Sequence, residues 1–230
     1  MTYNLYIGDR TFSSWSLRGW LMLEKFGLPY RAHMVGLYSG TMQEDLAHLA
    51  PAKTVPAMQT AQGHVLTDSL AMAETLTENH PDAGLYPTDP AARALARSIT
   101  AEMHSGFHGL RGACPMMLGF CWDGFTPTQA VKDDLQRIEE LWHLARARHG
   151  VNDPWLFGDY SLADAFYAPV AMRITAYNLQ VSDQSRAYVD THLNDPAFLA
   201  WRKAALEEVH DPFPYQQPSL DKRPWPGDEN

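Results

Sequence analysis

The sequence predicts a two-domain protein, in which an α/β domain in residues 1–82 is followed by an all-α domain in residues 90–210. Before residue 80, short strand-like runs alternate with runs of helical periodicity. The segment "HPDAGLYPTDP" (80–90) contains three prolines, which is typical of a linker. Beyond this linker, apolar residues recur at helical spacing. A chain of 230 residues, 45% of them hydrophobic, is long enough to bury one large core or two smaller ones.

The elements of the first domain follow the order β-α-β-α-β-β-α. The opening β-α-β unit predicts two parallel strands joined by a right-handed crossover. The two short strands on either side of "AQG" (61–63) are typical of a hairpin. The predicted strands cover residues 3–8, 30–35, 55–60 and 64–67, and the predicted helices cover residues 11–27, 42–50 and 69–80.

The second domain is predicted to contain only helices. Asp89 and Pro90 suit the N-cap and the first position of a helix whose apolar spacing continues through Phe107 to Leu110. Another helix is predicted to begin at Thr126, because a proline follows it and a glutamine completes a capping box. Ser161 and the aspartate three residues later also have capping-box spacing, so we expect them to start a helix and to contact no substrate. A proline inside that helix, at position 169, is expected to bend it.

The last segment, residues 211–230, contains five prolines. This composition predicts an extended tail that lies on the surface. Phe213, Tyr215 and Trp225 are its aromatic residues and are candidates to fold back over a site in the rest of the chain.

Composition excludes several classes of function. The formal net charge is −9 and no basic cluster is present, so we expect neither a nucleic acid nor an anionic membrane as partner. No apolar run approaches the length of a membrane span, and the first residues lack the pattern of a signal peptide, which predicts a cytoplasmic protein. Cys114 and Cys121 are seven residues apart, which suits neither a zinc site nor a redox pair, so we expect reduced core thiols and no metal.

In "TFSSWSLRGWLMLEKFG" (11–27), four hydroxyl side chains, those of Thr11, Ser13, Ser14 and Ser16, stand just ahead of an unbroken apolar run in the first helix. One interpretation is that Ser13 or Ser14 only caps this helix, because N-caps are common. The other is that the hydroxyls bind a ligand, since the first strand-to-helix turn of an α/β sheet is a frequent ligand site. The amino end of a helix there favours an anion.

Four segments in order resemble the cytosolic glutathione S-transferases: "SSWSLR" (13–18), "AKTVPAM" (52–58), "LTDSLAMAETL" (66–76) and "GDYSLADAFYAPV" (158–170). The first looks like the zeta-class signature "SSCSxR", with Trp15 in place of the cysteine. The resemblance covers roughly residues 3–208. It implies a thioredoxin-like first domain, a helical second domain and glutathione as co-substrate. It also implies a two-fold homodimer.

The resemblance assigns roles to individual residues. It makes Ser13 the hydroxyl that activates the glutathione thiol, and Ser14 is the second candidate because a turn leaves an ambiguity of one residue. It implies a cis peptide bond before Pro56, which leaves the backbone of Val55 free to pair with the extended tripeptide. The alternative for this bond is the trans form that most proline peptide bonds adopt.

Three further residues are implied to hold the ends of glutathione. Ser69, at the start of the helix from residue 69, would take the γ-glutamyl carboxylate, and Asp68 would take the ammonium group. Both residues are also ordinary capping residues. Lys53 would meet the glycyl carboxylate, although a lone lysine in a loop is usually only solvated.

The electrophile is expected to lie against the segment 101–122, which mixes histidines with methionines and aromatic residues. Trp15, His104, Phe107 and His108 are the candidate pocket residues, and a small hydrophobic electrophile is the expected substrate. The alternative for the apolar members of this segment is a place in the core. A metal on the two histidines is not expected, because no third ligand accompanies them.

Three functions remain open at this point. The first is a transferase that adds glutathione to an electrophilic carbon. The second is a glutathione-dependent isomerase of the maleylacetoacetate type, in which glutathione adds, a bond rotates and glutathione leaves. The third is a binding module on the same scaffold without enzymatic activity.

Overall fold

A four-stranded mixed sheet forms the centre of the first domain in the computed structural model, which describes residues 2–150, 154–208 and 214–228. The strand order is β2-β1-β3-β4. Strand β1 pairs in parallel with β2, whereas β3 is antiparallel to both β1 and β4. The predicted parallel pair and the predicted hairpin are therefore both confirmed. The strands are β1 (Tyr3–Ile7), β2 (Tyr30–Met34), β3 (Ala57–Gln59) and β4 (Val65–Leu66).

The helices of this domain are α1 (Ser14–Glu24), α2 (Met42–Asp45) and α3 (Ser69–Asn79), with a 3-10 turn at Ala47–Leu49. Helix α1 is apolar on almost every side because it contacts β1 and α3 as well as the second domain. A Cβ at Gly19 would lie 3.0 Å from the ring of Pro56, so this glycine lets α1 approach the loop before β3 closely. The amino end of α1 and that loop are thereby brought together.

The second domain contains six helices among the described residues: α4 (Pro90–Ser105), α5 (His108–Ala113), α6 (Gln129–His149), α7 (Leu162–Ala176), α8 (Asp183–Leu193) and α9 (Pro196–Ala205). Helix α7 is at its centre, since every residue of α7 is buried and the helix contacts α1, α4 and α8. The predicted capping box is present at its start, where Ser161 donates from both its N–H and its hydroxyl to Asp164. Pro169 lies inside α7 as expected.

Two helix boundaries differ from the sequence prediction. Helix α4 ends at Ser105, and Phe107 is in the left-handed conformation with φ 57°, so the apolar spacing does not continue as one helix. A Cβ at Gly106 would lie 2.7 Å from the carbonyl oxygen of Glu102, so the close turn at this break requires a glycine. Helix α6 is capped by Thr128 and not by Thr126, because the Thr128 hydroxyl is the one that accepts from a first-turn N–H, at 3.4 Å.

The second half is not purely helical, and the tail does not simply lie on the surface. Strand β5 (Cys121–Asp123) pairs antiparallel with β6 (Asp221–Arg223). Trp225 is only 3% exposed, and its ring packs against Phe198 of α9. Pairing between segments about a hundred residues apart leaves no local pattern, which is why the sequence did not predict it. Residues 211–213 and 229–230 of the predicted tail, including Phe213, lie outside the described residues.

Both cysteines are free and buried, as the sequence predicts. Burial raises the pKa of the Cys114 thiol to about 12 and that of Cys121 to about 11, so neither thiol is activated. Within the described ranges, His, Cys, Asp and Glu side chains form no group of three or more that could hold a metal ion. No helix in the described part of the chain combines the length and the apolar composition needed to cross a membrane.

Candidate active site

A cavity of about 850 Å³ lies between the two domains and collects most of the residues that the sequence singled out. The first domain contributes the start of α1, the loop before β3 and the start of α3, and the second contributes α5 and α7. Its predicted members are Ser13, Ser14, Trp15, Val55, Pro56, Asp68, Ser69 and His108. A second cavity of about 790 Å³ lies against α6 and contains none of the predicted site residues.

Ser13 is the N-cap of α1, and its hydroxyl lies at the positive end of that helix. The Ser13 oxygen accepts from the backbone N–H of Ser16 at 3.3 Å, while its proton is donated to the Ser16 hydroxyl oxygen at 2.7 Å. The Ser16 oxygen also accepts from the N–H of Gly8 at 2.9 Å. Ser13 is therefore held by a small network of hydrogen bonds and is only 6% exposed.

Ser14 is the first residue of α1 and lines the same cavity. Its oxygen accepts a hydrogen bond from Nη2 of Arg173, a residue of α7, at 3.3 Å. No acceptor for the Ser14 proton is present among the described residues. The two adjacent serines thus differ in their hydrogen bonds. Ser13 donates its proton to a residue of the first domain, whereas Ser14 accepts a hydrogen bond from a residue of the second domain.

The peptide bond between Val55 and Pro56 is cis, as the resemblance implied. Both residues are buried and line the cavity. No hydrogen bond joins the backbone of Val55 to another described residue, so its N–H and C=O are available to an extended peptide. Lys53, two residues earlier, is exposed and does not line the cavity, so the structure does not bring it together with the other predicted residues.

Asp68 and Ser69 lie at the start of α3. One carboxylate oxygen of Asp68 caps the helix by accepting from two backbone N–H groups, at 2.8 and 3.1 Å. The other lies 3.2 Å from Nε2 of His104, and Nδ1 of that histidine lies 3.5 Å from the Ser69 hydroxyl. Burial lowers the pKa of His104, Asp68 opposes this shift, and two arginines add to it. A neutral His104 that donates from Nε2 therefore bridges the second domain to this pair.

Trp15 is held between two guanidinium groups. The guanidinium carbon of Arg18 lies 4.7 Å from the centre of the indole ring, and that of Arg111 lies 4.9 Å from it. His104 contacts the ring at its edge, 5.3 Å between centroids. Two cation–π contacts and one edge contact fix the orientation of this wall of the cavity. Phe107, by contrast, is a core residue at 6% exposure and does not line the cavity.

Two arginines that were not predicted as site residues line the cavity, Arg111 and Arg173, and a third, Arg18, is buried against Trp15 and does not line it. Burial, followed by repulsion from Arg173 and Arg111, lowers the pKa of Arg18 to about 9. Burial, followed by repulsion from Arg111, lowers the pKa of Arg173 to about 10. None of the three forms an ion pair with a carboxylate within the described ranges. Nε of Arg18 and Nε of Arg173 are buried without a hydrogen-bond partner among the described residues. Because unpaired buried charge is costly, an anion bound beside these groups would lower their cost of burial.

One of these arginines carries a signal that sequence reasoning can use. Arg173 is the basic residue of the largely apolar helix α7, whose other charged residue, Asp164, lies in the first turn, and a buried charge without a partner nearby in sequence is unusual. Arg111 was inside the segment expected to form the pocket wall, and Arg18 belongs to the "SSWSLR" motif. Neither position predicts that the three groups meet.

Comparison with known proteins agrees with the fold and the cavity. A family model described as the N-terminal domain of glutathione S-transferase matches residues 12–79. A probable maleylacetoacetate isomerase from Caenorhabditis elegans is 31% identical over 204 residues, which cover 85% of this chain and 91% of that protein. A maleylacetoacetate isomerase from Pseudomonas aeruginosa is 32% identical over 175 residues, which cover 72% and 78% of the two chains.

Among solved structures, a glutathione transferase homolog from Burkholderia GL BGR1 with bound glutathione superposes with a TM-score of 0.66. It is 25% identical, and the match covers 91% of this chain and 100% of that chain. The thioredoxin-like domain, the cavity at the start of α1 and the similarity to a homolog with bound glutathione together indicate the class of proteins that bind glutathione. The chain belongs to the cytosolic glutathione S-transferase family and is similar to its zeta class. Its chemistry is accordingly that of a glutathione-dependent transferase or isomerase.

Proposed function

We propose that glutathione binds in the cavity between the domains with its sulfur at the amino end of α1, where the Ser13 hydroxyl stabilises the thiolate. Ser14 is the second candidate for this role. The observation that carries the proposal is the convergence of Ser13, Ser14, Val55 and Ser69 on one cavity. These residues come from three separate segments of the chain, and an extended tripeptide has groups that match each of them.

Serine acts in this proposal as a hydrogen-bond donor to sulfur. A free thiol with a pKa of about 8.5 is only a few per cent thiolate at neutral pH, and the thiolate is the nucleophile. Lowering the pKa by about two units requires roughly 2.7 kcal/mol of preferential stabilisation. A charge-assisted hydrogen bond contributes about 1.5–3 kcal/mol, and a helix amino terminus adds about 0.3–1 kcal/mol. The two together reach the required magnitude before the hydrogen bond from Ser13 to Ser16, which Ser13 gives up on binding sulfur, is subtracted, so the net lowering of the thiol pKa is smaller than two units.

The remaining contacts follow the polarity of glutathione. The free backbone of Val55 pairs with the cysteinyl residue of the tripeptide. Ser69 and the amino end of α3 receive the γ-glutamyl carboxylate, and Asp68 receives the ammonium group, with His104 holding both side chains in place. Lys53 is exposed and is proposed only as a solvent-side partner for the glycyl carboxylate.

The arginines favour an electrophile that carries negative charge. Arg111 and Arg173 line the cavity beside Met116 and Trp15, so the substrate we propose has an apolar body and at least one carboxylate. This feature supports the second candidate function, isomerisation of a maleylacetoacetate-type substrate, since relatives of this chain are named for that activity. In that reaction the thiolate adds to an alkene carbon, the bond rotates in the adduct, and the thiolate is expelled with no change in mass.

Calorimetry and ultraviolet absorbance test the proposal together. Titration of glutathione into the purified protein is expected to release heat and to produce a thiolate absorbance band at neutral pH. The glutathione complex is then offered benzyl chloride or maleylacetoacetate. An S-conjugate indicates transfer, and an isomer of unchanged mass indicates isomerisation. Absence of both the heat and the band would contradict the proposed site and leave only a binding scaffold.

Two further proposals rest on the family. We propose that the chain forms a two-fold homodimer, which light scattering of the purified protein measures directly, with about twice the chain mass of 25.9 kDa expected. We also propose a cytoplasmic location, which cell fractionation tests.

A further inference from the structure

The C-terminal segment contributes a residue to the cavity. We call residues 214–228 the C-terminal strap. Its far end is fastened to the second domain, because β6 pairs with β5 and the Trp225 ring lies over the guanidinium of Arg202, 5.0 Å from ring centre to guanidinium carbon. Arg202 also forms a bidentate ion pair with Asp228. These contacts place the strap independently of any ligand.

Tyr215, near the start of the strap, lines the cavity. Its ring contacts Phe12 and Tyr38 of the first domain, with centroid distances of 5.9 and 5.8 Å. Phe12 directly precedes Ser13 and lines the cavity as well. The backbone of Tyr215 has φ 56°, a conformation that non-glycine residues rarely adopt. A strained residue held at a ligand cavity by contacts from another domain is a candidate for a functional role.

The hydrogen-bond pattern of Tyr215 leaves its proton available. The Tyr38 hydroxyl donates to the Tyr215 oxygen at 2.6 Å. No acceptor for the Tyr215 proton is present among the described residues. A phenol that accepts one hydrogen bond becomes a better donor in the next, because hydrogen bonds in a chain polarise one another. Arg173 lines the same cavity as Tyr215.

We infer that Tyr215 is a substrate-contacting residue whose hydroxyl donates a hydrogen bond to a carbonyl or carboxylate oxygen of the electrophile, beside Arg111 and Arg173. The strap holds the phenol in this position, and Tyr38 orients it. This inference rests on the proposed function, since it requires the electrophile to occupy the same cavity as glutathione. In this role the C-terminal strap favours electrophiles that carry an oxygen acceptor over purely apolar ones.

The substitution Tyr215→Phe tests the inference because it removes only the phenol oxygen. With maleylacetoacetate as probe, kcat/KM is expected to fall about tenfold, which corresponds to about 1.4 kcal/mol. With benzyl chloride, which has no oxygen, it is expected to change less than twofold. The KM for glutathione and the pKa of its bound thiol should stay as in the wild type. Tyr38→Phe removes only the polarising donor and is expected to cost two- to threefold.

Two further variants distinguish a direct contact between Tyr215 and the substrate from a general effect on folding. Tyr86→Phe removes a buried phenol oxygen that donates to Glu74 at 3.2 Å away from this cavity, and it should leave both electrophiles unaffected. Asp228→Asn weakens the far anchor of the strap at a partly exposed site, and it should raise the KM for maleylacetoacetate without changing the thiol pKa.

The inference and the proposed function fail in different ways. If wild-type protein gives no thiolate band with glutathione, the proposed function is wrong. If the band is normal but Tyr215→Phe keeps wild-type kcat/KM with maleylacetoacetate, the role of Tyr215 is wrong and the glutathione site stands. An equal loss with both electrophiles would also overturn the inference, because it would show a general effect on the cavity.

Discussion

Replacing Ser13 with alanine removes the hydroxyl that we propose as the donor to the glutathione thiolate. The substitution leaves the helix amino terminus, Ser14 and Arg173 in place, so it isolates one hydrogen bond. We expect the pKa of the bound thiol to rise and the rate at pH 7 to fall in proportion to the lost thiolate fraction.

The size of the effect follows from the bonds that Ser13 makes. Before glutathione binds, its proton is donated to the Ser16 oxygen at 2.7 Å, a neutral bond worth about 1 kcal/mol. A charge-assisted bond to sulfur contributes about 2 kcal/mol, so the exchange yields a net gain of about 1 kcal/mol. One pKa unit corresponds to about 1.4 kcal/mol, so Ser13→Ala should raise the thiol pKa by a little under one unit. The rate below that pKa should fall by roughly five- to tenfold.

The assay is a pH titration of the thiolate absorbance in the glutathione complex, together with the pH profile of kcat/KM for benzyl chloride. Because the variant also loses a helix cap, its stability is expected to fall by about 0.5–2 kcal/mol, measured by urea unfolding. Stability and thiol pKa must therefore be measured on the same samples.

Ser182 provides a matched control elsewhere in the chain. It caps α8 by accepting from the N–H of Ser185 at 3.3 Å, as Ser13 accepts from the N–H of Ser16. The single Ser182 proton is donated to Glu139 at 2.6 Å, so Ser182→Ala also removes one accepted and one donated hydrogen bond. It should lower stability and leave the thiol pKa unchanged.

The reasoning is refuted if Ser13→Ala binds glutathione with an unshifted thiol pKa. A shift of one unit in Ser14→Ala, with none in Ser13→Ala, would exchange the roles of the two serines. If neither variant shifts the pKa, then the serine hydroxyls do not activate the thiol.

Three other predictions concern charge and burial. Arg111→Gln and Arg173→Gln should each raise the KM for maleylacetoacetate about ten- to a hundredfold, because each removes one charge-assisted hydrogen bond to the substrate. The KM for benzyl chloride should change little, and steady-state kinetics with both substrates measures the difference. Burial lowers the pKa of His192 in the folded protein to about 3, whereas in the unfolded chain this histidine has a pKa of about 6.5. Between these two pKa values the unfolded chain binds more protons than the folded protein. The free energy of unfolding should therefore fall by about 1.4 kcal/mol for each pH unit below about 6.5. Urea unfolding at pH 5, 6 and 7 should show this slope in the wild type and lose that contribution in His192→Phe; an equal slope in both would contradict the assignment. Cys114 and Cys121 should react with a thiol reagent at pH 8 only after unfolding, and a fast-reacting thiol in the native protein would contradict their burial.

Local patterns predicted the features that depend on neighbours in sequence. The caps at Ser13, Asp68 and Ser161 were identified because a capping side chain reaches an N–H only two or three residues away. The order of strands and helices followed from hydrophobic periodicity in the same way. Local reasoning was wrong at the start of α6, where Thr126 and Thr128 both have a hydroxyl that suits a cap and the structure uses Thr128.

The pattern of the sequence by itself indicated the two-domain architecture, and its resemblance to a known family indicated the family and some of the segments that line the cavity. The tertiary structure alone decided which side chains meet inside it. Ser14 and Arg173 are 159 positions apart, and Tyr38 and Tyr215 are 177 apart, so no periodicity or spacing relates them. Their contacts arise because the packing of α1 against α7 and the pairing of β5 with β6 bring distant segments to one place, and the charge and hydrogen-bonding capacity of the site depend on that packing.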